Sequence, residues 1–87
     1  MSNSIGAAKA AVLAANDEGD RAMAATRATI GTFEAQRAAL LAAAEGTHQA
    51  DAESAAQAIT RVINHLEEGV SLAAHASSMV RDVAARL

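Results

Sequence analysis

Three histidines, His48, His65 and His75, and one acidic run, Asn16-Asp17-Glu18-Gly19-Asp20, hold most of the chemical potential in this 87-residue chain. Histidine beside carboxylate suggests a metal. Metal-holding helical bundles use Glu-x-x-His pairs aimed inward from facing helices. Only Glu45-Gly46-Thr47-His48 has that spelling, and it straddles a glycine that reads as a turn. His65 and Glu68 are three apart in reversed order, no second set faces them, and at helical spacing His75 projects in another direction from His65. The acidic run has glycine among carboxylates, as a calcium loop does. Such a loop also needs a glutamate at its twelfth position. Counted from Asn16 that position is Arg27, which has the wrong charge. Ordinary rim histidines and a solvated helix face account for these residues better, so no metal site and no cofactor is expected. Of the three, His65 is the one whose burial at a subunit contact would make it responsive to pH.

Nothing else in the chain points to catalysis. There is no cysteine, no glycine-rich phosphate loop and no serine in a nucleophile elbow. A net charge of −3 with a single aromatic residue, Phe33, supplies neither a basic patch nor a stacking platform, which excludes nucleic-acid binding. No small-molecule substrate is evident, and a non-enzymatic protein is expected. The start, Met1-Ser2-Asn3-Ser4-Ile5, lacks the basic residues of a cleavable secretion signal. The uncharged run from Gly69 to Val80 is too short for the ~20 residues of a transmembrane helix. A cytoplasmic location is the default expectation.

The elements that must position these residues are helices. The chain has no proline, five glycines and alanine at roughly three positions in ten. Alanine orders into a helix without losing side-chain entropy, while proline and glycine cost about 3 and about 1 kcal/mol against it. Gly46, close to the midpoint, reads as the residue that ends one helix, and Thr47 as the cap of the next, with Asp51 and Glu53 adding favourable charge to its first turns. The spacing predicts one all-α domain over 1–87, with helices over about 4–45 and about 48–86 folded into a long antiparallel hairpin. Each arm spans about 60 Å. The run Asn16–Asp20 leaves an alternative open, a loop that would make three helices, although the seven-residue register passes through it unshifted from Val12 to Thr26.

In the first arm Ile5, Val12, Gly19, Thr26, Phe33 and Leu40 recur every seven residues, with Met23 and Ile30 alongside. In the second, Ile59, Leu66, Ala73, Val80 and Leu87 do the same, flanked by Val62, Ala76 and Val83 on one side and Ile63 and Val70 on the other. Such repeats keep one seam facing a partner helix. The predicted hairpin core is Val12, Met23, Ile30, Phe33, Leu40, Ile59, Ile63, Leu66, Val70 and Val80, with Ile30 meeting Ile63, Met23 meeting Val70 and Val12 meeting Val80. Phe33 is expected to contribute most singly, about 3–5 kcal/mol on truncation to alanine if fully buried. The apolar arc of the second arm is wider than one seam needs. His65, Leu72 and Met79 lie on its edge and are predicted to touch a second hairpin, most simply another copy, in a four-helix bundle. An apolar content that is mostly alanine leaves few larger side chains to hold a lone pair of helices, which favours the same conclusion.

Two roughly equal helical arms meeting at the central glycine of Ala44-Glu45-Gly46, in a short alanine-rich chain, resemble the Trp-X-Gly (ESAT-six-like) family. The segment Ile5–Ala15 and the ending Val83-Ala84-Ala85-Arg86-Leu87 are similar to small actinobacterial helical hairpins of this general kind. The resemblance implies hairpins that pair into four-helix bundles and leave the cell by a type VII secretion route, as substrates or partners of that system. Gly46 matches the family's glycine. Ala44 stands where the family has tryptophan, and the chain has no tyrosine for the family's carboxy-terminal export signal. The functional expectation is a self-associating interaction module that pairs with itself or with a related hairpin. A secreted partner of a type VII-like system is the alternative. A membrane-surface amphipathic protein is a third reading, disfavoured by the acidic charge and the scarcity of lysine.

Overall fold

The computed structural model describes residues 4–45 and 50–87. They form two helices, α1 (Ser4–Ala44) and α2 (Ala50–Arg86), packed against each other as an antiparallel hairpin. The predicted turn residues Gly46 and Thr47, and the start of the second helix at about 48, lie outside the described residues. Helix α1 runs unbroken through Asn16–Asp20, which removes the three-helix alternative. α2 carries Asp51 and Glu53 in its first turn and Arg86 in its last, each charge opposing the local end of the helix dipole.

The molecule is a rod of 70 × 15 × 13 Å with a radius of gyration of 19.9 Å, against about 12 Å for a compact domain of this length. Its accessible surface is 6174 Å², where a compact monomer of 8.8 kDa would expose about 4,800 Å². The excess follows from the architecture, because each helix covers only one side of the other.

The inner residues follow a seven-residue rhythm on both helices. On α1 the enclosed or half-enclosed positions include Asn16, Met23, Ile30 and Arg37, with Val12, Thr26, Phe33 and Leu40 beside them. On α2 they are Ala56, Ile63, Val70, Ser77 and Ala84, with Ala52, Ile59, Leu66 and Val80 beside them. Met23, Ile30 and Ile63 are buried, and Ile63, at 3% exposure, is the most enclosed large side chain. The other seven predicted core residues are half-buried. Phe33 is among them, since a single facing helix covers only part of a ring, so the expectation that it dominates the core passes to Ile63. Ile5, Gly19, Ala73 and Leu87, members of the predicted seams, are exposed.

The pairing register is marked by Asn16, whose Nδ2 donates to Ser77 Oγ at 3.0 Å. Counting seven residues from that layer along both antiparallel helices sets Met23 across from Val70 and Ile30 across from Ile63. Val12 and Val80 line one groove. Ser77 Oγ donates in turn to Asp20 Oδ1 at 2.7 Å, and Asp20 Oδ2 is paired with Arg81. Farther along, Arg37 Nη1 donates to Thr60 Oγ1 at 3.0 Å, and Thr60 donates to the Ala56 carbonyl. Asn16, Asp20 and Arg37 therefore tie the helices together, whereas the acidic run reads in sequence as solvated face. No buried side-chain nitrogen or oxygen among the described residues lacks a partner, so these polar layers do not carry the 1–3 kcal/mol cost of an orphaned group.

Candidate functional site

The two broad sides of the hairpin differ in chemistry. Asp20 and Arg81 join the helices on one side. At helical spacing Asp17, Arg27 and Glu34 of α1 share that side with Asp20, and Glu53, Gln57, Asn64 and Glu67 of α2 share it with Arg81, all exposed. This face carries most of the charges, although Leu13 and Leu41, in the same seven-residue series as Asp20, are also exposed on it. The opposite side holds an open groove of about 320 Å³ lined by Val12, Met79, Val80 and Val83. Ala8 and Ala15 stand one turn to either side of Val12, and exposed alanines continue along α1 through Ala22, Ala25 and Ala39 to Ala43, interrupted by Thr29, Gln36 and the exposed Glu18–Arg21 ion pair.

On this second side α2 presents a seam of its own. Val62, His65, Gly69, Leu72, Ala76, Met79 and Val83 recur at alternating spacings of three and four residues, and every one is exposed. That is the spacing of an a/d stripe. It is turned about 100° around α2 from the stripe that meets α1, one residue's rotation on the helix. Adjacent helices of a four-helix bundle require two such stripes at about this angle, since each helix has two neighbours. Leu72 is 72% exposed and Met79 56%. Val62 and Val83, read in sequence as flanking the hairpin seam, belong to this outward stripe, and Ile63 and Val70 belong to the inner one. At the outer rim of the stripe lie Arg61, Glu68, His75 and Asp82, seven residues apart and all exposed.

The predicted interface residues His65, Leu72 and Met79 thus lie together on one uncovered stripe. The predicted core residues Val12 and Val80 lie at the seam beside it. His65 Nδ1 is 3.9 Å from Glu68 Oε2, with both side chains exposed. Among the described residues no three His, Cys, Asp or Glu side chains converge as metal ligands would. No described helix is long and apolar enough to cross a membrane.

Family models, curated proteins and solved structures gave no match to this chain. The functional reading therefore rests on the chain's own surface. Two features of that surface are absent from the sequence reading. One is the polar layer Asn16–Ser77–Asp20–Arg81, whose signal was Asn16 seven residues before Met23 and Ser77 seven after Val70. The other is the unbroken extent of the outward stripe from Val62 to Val83, visible as a second three-four alternation.

Proposed function

We propose that the hairpin is a non-enzymatic interaction module that self-associates, apolar side to apolar side, into a four-helix bundle. The observation that supports this is the exposed stripe from Val62 to Val83, which has the spacing of a helix-packing seam and no charged residue other than the ionisable His65. A single protomer leaves it in water at about 25 cal/mol per Å² of apolar surface. A standard interface removes about 800 Å² from each partner, and the rod exposes more than that beyond what its mass requires. Light scattering coupled to size-exclusion chromatography across a micromolar dilution series tests the reading. A mass of two chains is expected, falling to one chain for Leu72→Glu with helicity unchanged. A folded monomer throughout the series refutes it.

A further inference from the structure

The charges along the rim of the outward stripe point to the orientation and register of the partner. We infer that the occupant is a second copy of this chain with its α2 antiparallel to the first, about a two-fold axis crossing between Val70 and Ser71. The inference rests on the self-association argued above and adds its geometry.

Antiparallel helices meet with the two alternating series of one stripe facing those of the other. Centred between Val70 and Ser71, the stripe sets Leu72 across from Gly69 of the partner subunit. Met79 meets the partner's Val62, His65 meets the partner's Ala76, and Val83 meets the partner's Ala58. Each layer places a larger side chain against a smaller one, which fills the space between helices without voids. Nothing lies within 4 Å of where a Cβ on Gly69 would stand, so the notch that receives the leucine is open in the protomer.

The rim then supplies the selection. In this register Arg61 faces Asp82 of the partner subunit, and Glu68 faces the partner's His75, whose imidazole can donate to the carboxylate. The two-fold axis repeats both pairs. Sliding one helix by a heptad in one direction sets Glu68 against the partner's Glu68. Sliding it in the other sets Glu68 against the partner's Asp82. Like charges directly opposed disfavour both slides. Laying α2 on the alanine-rich side of the partner's α1 would place Arg61, Glu68 and Asp82 beside Ala35, Ala28 and Ala14 of the partner subunit and His75 beside the partner's Arg21, so none of the three charges meets an opposite one. The antiparallel α2–α2 arrangement pairs all four rim residues at once, and it brings the alanine-rich sides of the two α1 helices together.

Two measurements on the full chain test this. The protein has no cysteine, so Ser54→Cys, at an exposed position, gives one spin-label site per protomer. The antiparallel register places the two labels about 50 Å apart along the axis, whereas a parallel pair, or α2 on α1, brings them close together at one end. Separately, Arg61→Asp should weaken the dimer about tenfold by opposing two pairs of carboxylates, and adding Asp82→Arg should restore it. Circular dichroism confirms that helicity is retained in each variant. A dimer with closely spaced labels, or a double variant no tighter than the single one, overturns the register and leaves self-association standing. A monomeric wild-type protein overturns both.

Discussion

Ser77 occupies a position where the seven-residue series of α2 otherwise carries Ala56, Ile63, Val70 and Ala84, and its hydroxyl both accepts from Asn16 and donates to Asp20. It is 6% exposed. Removing the hydroxyl leaves Asn16 without that acceptor inside the seam, while Asp20 keeps Arg81. Ser77→Ala is expected to cost about 1–3 kcal/mol, read as a lower denaturation midpoint in urea with an unchanged slope. Replacing Asn16, Asp20 and Ser77 all by apolar residues would remove the penalty but also the mark that fixes register, as single polar residues do in coiled coils. Both Asn16 and Ser77 were legible as members of seven-residue series. They were not recognised as seam residues because polar side chains at such positions look, without a partner in view, like solvated surface. The spacing also misjudged Phe33. Periodicity tells which way a side chain points but not how much of it the facing helix covers.

The two helices are held by different means. α1 is rich in alanine, and its threonines Thr26, Thr29 and Thr32 each donate back to a carbonyl four residues earlier on their own helix, so their hydroxyls are satisfied within α1. Its helicity rests on alanine's propensity and on a narrow strip of contacts. Gly31 lies on the exposed side of α1 with open space where a Cβ would stand. Gly31→Ala is expected to stabilise the hairpin by about 0.5–1 kcal/mol without touching the apolar side, seen as a higher thermal midpoint at fixed concentration. α2 has a second stripe beside its first. The inner seam is accordingly flanked by Val62 and Val83 on one side and by Ile63 and Val70 on the other, and the second pair turns inward. Both edges are apolar, so hydrophobic spacing does not choose between them, and the hydrogen bonds to Asn16, Asp20 and Arg37 do.

As a whole the molecule is a thin rod with most of its charges on one broad side and the uncovered apolar stripe of α2 on the other. If two hairpins close over the apolar side, the melting temperature should rise by about 3–5 °C for each tenfold increase in protein concentration, whereas a self-sufficient hairpin would show none. Differential scanning measurements over a hundredfold range separate the two outcomes.

Composition and spacing were enough to establish helices, their number and their antiparallel return, because alanine content, the absence of proline and a seven-residue repeat are local properties of the chain. They were also enough to show that α2 carries more apolar width than one neighbour can cover. They did not show which polar residues lie between the helices or how far the uncovered stripe of α2 runs. Those depend on the rotation and offset of one helix against the other, and that relation is set by contacts between residues from 23 to 61 positions apart, such as Arg37 with Thr60 and Asn16 with Ser77.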